Sequence, residues 1–180
     1  KLGIESMTTE TCYPVKVSHG HVIDLLGKTR FLFLPNMIDL PSQDENKNSF
    51  YCPLVQGNQY MLKTSLCFKD REVLNTHAHL NSNPDLPSAE LHKQIGKPLG
   101  LRLSKVRRAL DVAFGKQRDF ENDMHKKGAE IITSLENHQP LVVVTGRPYN
   151  LYDEKLNLRV GQNLSKIGLT ALPMDFLDIS

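Results

Sequence analysis

The chain has 180 residues, 39% hydrophobic and 23% charged, which is typical of a globular fold and excludes a disordered one. Its formal net charge of +2 is too small for a nucleic-acid-binding surface, since phosphate recognition needs concentrated basic residues. No apolar run approaches the roughly 20 residues that span a bilayer, and no charged-then-apolar leader opens the chain. We therefore expect a soluble domain that binds neither nucleic acid nor membrane.

Three widely spaced cysteines, Cys12, Cys52 and Cys67, argue against a secreted disulfide framework. The absence of a Cys-x-x-Cys pair excludes the standard zinc signatures, and the odd cysteine count indicates a reducing, cytoplasmic environment. The chain starts at Lys1 rather than at a methionine, and its last residues resemble the end of a strand. We therefore expect a fragment of a larger protein.

The first predicted element is a helix from Tyr13 to Leu26, with Thr11 as its N-cap. The apolar run from Phe31 to Leu34 follows, and it predicts a parallel strand that is buried on both faces. The remaining predicted elements of this half are a loop over residues 35–49, a helix over 59–66 and a strand over 73–80.

The middle of the chain is predicted to be mostly helical after a proline-rich stretch over residues 81–98. Ser104 is the expected cap of the longest helix, whose apolar positions keep helical spacing for about nine turns. Phase slips near Lys116 and Gly128 indicate a kink or a break. The second half is predicted to hold a strand over 141–146, a loop over 147–150, a helix over 154–167 and a strand over 169–174.

This order of elements predicts an α/β fold with a doubly wound, Rossmann-like parallel sheet, or two such sheets, and a long helix linking two halves. The predicted organisation is a first α/β half over residues 1–80, a mostly helical connector over 81–139 and a second α/β half over 140–180. The chain then forms a single domain or part of a larger one.

In such folds, ligands bind beyond the carboxyl ends of the strands. The strongest candidate is the loop Gly146, Arg147, Tyr149 and Asn150. Gly146 permits a close backbone approach, Arg147 offers planar donors for phosphate or carboxylate, and the next helix start has unpaired N–H groups. In the alternative interpretation, Arg147 pairs with Asp153 or Asp175 and Tyr149 only packs.

Cys12 and Cys52 each lie beside a proline at a predicted helix start. The N–H groups of a helix start favour a thiolate, which suits metal binding or nucleophilic chemistry. The alternative is that both are small buried apolar residues. His77 and His79 share one face of a predicted strand, as two metal ligands would, although exposed or capping histidines explain the same spacing.

Five segments resemble the domain of large acyl-CoA dehydratase activase-like proteins, also called CoA-substrate-specific enzyme activases. They are residues 10–22 (ETCYPVKVSHGHV), 33–42 (FLPNMIDLPS), 49–58 (SFYCPLVQGN), 144–153 (VTGRPYNLYD) and 173–177 (PMDFL). The resemblance covers nearly the whole chain in order, except for the middle from Cys67 to Gln139.

The resemblance implies a domain that follows actin-like ATPase modules, which are expected as its partners in the same or a partner chain. More distantly, the chain is similar to the subunits of 2-hydroxyacyl-CoA dehydratases and benzoyl-CoA reductases. Those have Rossmann-like lobes and hold a [4Fe–4S] cluster through three cysteines. By position, Cys12 and Cys52 correspond to two such ligands, whereas Cys67 lies outside the matching segments, so the ligand set in this chain is incomplete.

The leading functional hypothesis is an iron–sulfur redox module that supports ATP-driven, low-potential electron transfer to an acyl-CoA-type reaction. Cys12 and Cys52 would ligate the cluster. Asn36, Asp39 and the loop Gly146–Asn150 would line a cofactor-binding cleft, with Arg147 binding an anionic group. The alternative is a non-catalytic lobe of the same multidomain protein that binds a ligand, such as an acyl-CoA-type molecule, or docks on the ATPase modules. A structural zinc site fits the irregular cysteine and histidine spacing less well.

Overall fold

The computed structural model describes residues 1–7, 9–40, 49–68, 72–81, 85–135 and 139–178. The chain divides into two compact units, unit 1 (Lys1–Asp111) and unit 2 (Val112–Ser180). Within the described residues, each unit contains one parallel sheet of two strands. No helix found in these ranges combines the length and the apolar character needed to cross a membrane.

Unit 1 begins with α1 (Leu2–Glu5) and α2 (Tyr13–Leu26), which pack on each other. The predicted bounds of α2 are confirmed. The predicted N-cap is wrong, because Cys12, rather than Thr11, has the extended φ of −65° and ψ of 153° and precedes the first helical residue. Pro14 lies in the first turn, where its missing N–H leaves no hydrogen bond unmade.

A parallel pair, β1 (Phe31–Asp39) and β2 (Glu72–His79), forms the sheet of unit 1. Its register pairs Phe31 with Glu72, Leu34 with Asn75, Asn36 with His77 and Asp39 with His79. The loop predicted over residues 35–49 is wrong for 35–39, where β1 continues through Pro35. Proline is tolerated there because both strands of a two-stranded sheet are edge strands. Residues 41–48 of that predicted loop lie outside the described residues.

The two faces of β1 differ in burial, so the prediction of a strand buried on both faces is wrong. Leu32 is buried, whereas Phe31 is 39% and Phe33 is 55% exposed. The Arg30 guanidinium lies over the Phe31 ring, 5.1 Å from its centroid. Side chains alternate between the faces of a strand, so Leu32 and Asn36 belong to the packed face and the two phenylalanines to the open one.

Two short helices, α3 (Pro53–Gln56) and α4 (Asn58–Ser65), pack against β1. The helix predicted over residues 59–66 is therefore confirmed within one residue at each end. The buried apolar core of unit 1 consists of Val15, Val22, Leu32, Leu62 and Ala78.

The stretch over residues 81–98, predicted as a connector, contains two helical elements that pack on β2. These are α5 (Asp85–Leu91) and a π-helical turn (His92–Gly96). The ring of His92 extends this packing, since its Nε2 lies 2.9 Å from the Leu101 carbonyl oxygen. A proline-rich composition therefore did not prevent helix formation here.

The longest helix, α6 (Leu103–Ser134), has 32 residues and includes the boundary between the two units. It starts one residue before the predicted cap Ser104, and it continues without a break through Lys116 and Gly128, so the predicted break is wrong and the kink stays a prediction. A Cβ at Gly128 would overlap the carbonyl oxygen of Phe176. The apolar pattern breaks at Gly128 because another segment of backbone contacts the helix there.

Unit 2 continues with β3 (Leu141–Val144), α7 (Pro148–Tyr152), α8 (Val160–Lys166) and β4 (Thr170–Pro173). A 3₁₀ turn (Met174–Phe176) follows β4. The two strands are parallel, as predicted. The single helix predicted over residues 154–167 is wrong, because Arg159 has a left-handed φ of 57° and precedes α8 as its N-cap.

The class of the fold is therefore mixed α/β with parallel strands and a long helix, as the sequence predicts. A doubly wound sheet has several strands in one sheet and helices on both faces. No sheet in the described part of the chain has more than two strands. The Rossmann-like, doubly wound architecture stays a prediction.

Gly128→Ala should destabilise unit 2, even though alanine is the better helix former by about 1 kcal/mol, because its methyl group would overlap the Phe176 carbonyl. Gly115→Ala is the matched control in the same helix, where the only atom near an added Cβ is Arg118 Nη2 at 4.0 Å. We expect chemical denaturation to give a loss of about 1–3 kcal/mol for the first variant and a gain of about 0.5–1 kcal/mol for the second. A gain in both would contradict the close contact.

Candidate functional site

The carboxyl ends of β1 and β2 bring together polar side chains in unit 1. Asp39, at the end of β1, is 7% exposed. Its Oδ1 accepts a hydrogen bond of 2.7 Å from the Asn81 N–H, and its Oδ2 lies 3.0 Å from His79 Nδ1. Burial alone would raise the pKa of Asp39, but the Asn81 N–H, the His79 ring and the Leu80 N–H together lower it below its ordinary value of 3.8.

The ionised Asp39 carboxylate orients the His79 ring. A carboxylate only accepts hydrogen bonds, so His79 Nδ1 carries the proton in this contact. In the neutral imidazole, Nε2 is then the acceptor nitrogen. His79 is 43% exposed. The pair can therefore offer an oriented hydrogen-bond acceptor at this edge of the sheet.

His77, two residues before His79, has different partners. Its Nε2 lies 2.7 Å from the Tyr60 hydroxyl, and its backbone N–H donates to Gln94 Oε1 at 2.9 Å. Within the described ranges, no group of three or more His, Cys, Asp or Glu side chains could hold a metal ion. His77 thus contacts α4 and the π-helical turn, His79 contacts Asp39 of β1, and the two histidines do not form a metal site of that kind there.

Three amide side chains of β1, α4 and β2 contain buried polar atoms. Asn36, fully buried, accepts a hydrogen bond of 3.3 Å from the Gln59 backbone N–H. Four buried atoms of these side chains have no hydrogen-bond partner: Asn36 Nδ2, Gln59 Nε2, Gln59 Oε1 and Asn75 Oδ1. We call Asn36, Gln59 and Asn75 the amide layer.

A cavity of about 160 Å³ adjoins the amide layer. Its lining comes from three elements and consists of Ser18, His21 and Val22 of α2, Leu34 and Pro35 of β1, and Asn58, Gln59 and Leu62 of α4. A single water needs only about 10–15 Å³ of such space, so the cavity can accept a larger group.

The two predicted metal ligands occupy similar positions in unit 1. Cys12 is the N-cap of α2 and Cys52 is the N-cap of α3, each with a proline in the first helical turn. Both are half-buried, whereas Cys67 is exposed. Phe50, two residues before Cys52, forms an isolated antiparallel β-bridge with Asp39. Their partial burial is compatible both with small apolar packing and with a ligand role, so both interpretations stay open.

The other predicted site residues lie in unit 2, at the carboxyl end of β3. Arg147 is the N-cap of α7 and is exposed, Tyr149 is half-buried, and Asn150 is exposed. A Cβ at Gly146 would make only ordinary contacts, the nearest at 3.5 Å from Leu151. The backbone here has no close contact that requires glycine.

The carboxylates proposed as alternative partners of Arg147 have other partners. Asp153 accepts hydrogen bonds from the Lys155 and Leu156 N–H groups. Asp175 accepts one of 2.8 Å from the Tyr152 hydroxyl, and burial together with this carboxylate raises the pKa of Tyr152 to about 12. The described part of the chain contains no ion pair of Arg147.

Sequence reasoning named Asn36 and Asp39 but missed Gln59 and Asn75. The available signal was Gln59 itself, a polar residue three positions before Leu62 on the face of the predicted helix that packs inward. The partner of Asp39 was also missed, since His79 lies 40 residues further along the chain.

Asp39→Asn should lower stability at neutral pH by about 1 kcal/mol, because it removes charge-assisted hydrogen bonds. The pKa of Asp39 is lowered in the folded protein, so its contribution is present above pH 3.8 and is lost as pH falls through the folded value. The difference between wild type and variant should therefore shrink below pH 3.8 in urea denaturation. The control is Asp24→Asn, which changes an exposed carboxylate of α2 that pairs with Lys28. If the loss of stability depended on pH in the same way for both variants, the role of Asp39 would be contradicted.

The comparisons with known proteins bear on the whole chain. A family model described as the CoA enzyme activase uncharacterised domain matches residues 1–177. Searches of curated proteins and of solved structures gave no match. The resemblance to CoA-substrate enzyme activases is confirmed, and the distant similarity to the dehydratase subunits stays a prediction. The chain belongs to the family of this CoA enzyme activase domain.

Proposed function

We propose that the domain is a ligand-binding lobe of a CoA enzyme activase protein, with its ligand in the cavity lined by α2, β1 and α4. The observation that carries the proposal is Gln59. Its side chain is 1% exposed, neither of its amide atoms has a hydrogen-bond partner, and the residue lines the cavity. An unpaired buried polar group is destabilising by about 1–3 kcal/mol, and a ligand that pairs with it would recover this loss.

The partners in this proposal follow from the family. We expect actin-like ATPase modules in the same or a partner chain, an acyl-CoA-type ligand, and a cytoplasmic location. A Rossmann-like relationship to 2-hydroxyacyl-CoA dehydratase subunits belongs to the same hypothesis. Arg147 would bind an anionic group of a ligand, since the two carboxylates considered as its partners, Asp153 and Asp175, have other partners.

Gln59→Met should raise the stability of the ligand-free protein by about 1–2 kcal/mol, because it removes two unpaired polar atoms and keeps the length of the side chain. Differential scanning calorimetry and urea denaturation would measure the change. Gln117→Met is the control, since Gln117 is exposed on α6 and donates to Glu121, and we expect it to change stability little. A Gln59→Met variant that is less stable than wild type would mean that the amide serves packing, and the proposal would fail.

A second candidate function, the iron–sulfur redox module, is favoured by the matching positions of Cys12 and Cys52. Thiolate is the right ligand type for such a cluster, and both cysteines are half-buried helix N-caps. The number of ligands does not fit, because the described residues contain no group of three or more side chains suited to a metal. This chain would supply two thiolates, and low-potential electron transfer would require a further ligand from elsewhere.

Cys12→Ser and Cys52→Ser should each remove about four irons per chain from the intact, anaerobically purified protein if both cysteines hold a [4Fe–4S] cluster. Iron and acid-labile sulfide would be measured against wild type, because the ATPase modules are expected to hold a cluster of their own. Cys67→Ser, at the exposed cysteine, is the control and should lose none. Unchanged iron in both variants would exclude the cluster and leave the ligand-binding proposal standing.

A further inference from the structure

The start of α6 and the turn before it form a surface that is both basic and apolar. Residues 97–111 contain five lysines and arginines and a single aspartate, whereas the formal net charge of the whole chain is only +2. Three of these cations are exposed, and their side chains have no hydrogen bond or ion pair within the part of the chain that the structure describes: Arg102, Lys105 and Arg108. Three leucines beside them are 37–41% exposed: Leu99, Leu101 and Leu103. We call these six residues the basic patch, and exposed leucines among unpaired cations favour contact with an acidic, apolar surface.

A surface of that kind lies farther along the same helix. Asp119, Glu121 and Asp123 surround Phe120 in the sequence, and all four residues are exposed, with Phe120 at 57%. Asp119 pairs with Lys116, but its side chain is 64% exposed in that contact, and exposed ion pairs contribute little. The carboxylates therefore remain available to a second cation. We call residues 119–121 and 123 the acidic patch.

The two patches of one copy cannot reach each other. α6 is continuous from Leu103 to Ser134, so the helical rise of 1.5 Å per residue separates Leu103 from Phe120 by about 25 Å along the axis. A second copy that lies antiparallel to the first brings its acidic patch to the basic patch. Two-fold symmetry repeats this contact with the roles of the copies exchanged.

We propose that the chain forms an antiparallel dimer through α6, in which the basic patch of each copy binds the acidic patch of the other. Leu103 and Phe120 supply the apolar contact, and the charged side chains around them fix the direction. A parallel dimer would place patches of like charge side by side, which is unfavourable. Nucleic acid is a poorer partner for the basic patch, because residues 93–113 contain no aromatic side chain on which a base could stack.

Sedimentation velocity of the full chain, over a range of protein concentrations, tests the dimer. We expect wild type to dimerise reversibly and to dimerise less at high salt, because exposed charges are screened. Lys105→Glu and Asp123→Lys should each weaken dimerisation by at least about tenfold, since each places like charges opposite one another. The double variant exchanges the two charges and should recover most of the loss. Lys126→Glu makes the same change of charge at an exposed residue outside the patches and should have no effect.

The apolar part of the contact has its own variant. Phe120→Ser should weaken dimerisation by about tenfold, because an exposed aromatic side chain at the centre of a contact carries much of its energy. Ile132→Ser is the control, since Ile132 is also exposed on α6, at 42%, but lies beyond both patches. Circular dichroism would verify that each variant keeps its helical content.

Four outcomes would overturn the inference: a chain that stays monomeric, a dimer that both charge reversals leave unchanged, no recovery in the double variant, or binding of the monomer to phosphatidylserine vesicles that Lys105→Glu abolishes. The last would assign the basic patch to an anionic membrane surface. None of them bears on the ligand-binding proposal, which depends on the stability of Gln59→Met.

Discussion

The parallel register of β1 and β2 is the constraint on which the polar groups of unit 1 depend. It sets Asn36 beside His77 and Asp39 beside His79, so residues about 40 positions apart in sequence become neighbours at one edge. A shift by one residue would move each of these side chains to the opposite face. The hydrogen bond between Asp39 and His79 and the position of Asn75 beside Leu34 both require the register as observed.

Local patterns predicted much of the secondary structure. The helix at Tyr13–Leu26 and the strands near Phe31, Val73 and Leu141 follow from apolar periodicity and flanking glycine or proline. Errors arose where tertiary contacts outweigh local preference. Pro35 predicts a strand end although edge strands tolerate it, and the pattern break at Gly128 predicts a kink or a break although the helix is continuous and a backbone segment contacts it there.

The candidate site was less predictable because its parts are long-range. Asn36 and Asp39 could be named, since they follow an apolar strand and ligands bind at such ends. Gln59 gave a weaker signal, its spacing from Leu62, because an amide on a helix is exposed in most proteins and its burial here depends on packing against β1. The position of Cys12 and Cys52 at helix starts was visible in the sequence from the neighbouring prolines, whereas the N-cap role of Cys12 and the partial burial of both cysteines were not.

The open face of β1 bears on how this protein behaves in concentrated solution. Phe31 and Phe33 are exposed on an edge strand, and such strands can pair with other molecules and start aggregation. Arg30 over the Phe31 ring and Pro35 further along the strand are the kinds of residue that block this pairing. Removing the charge of Arg30 would therefore reduce colloidal solubility before it reduced the folding free energy.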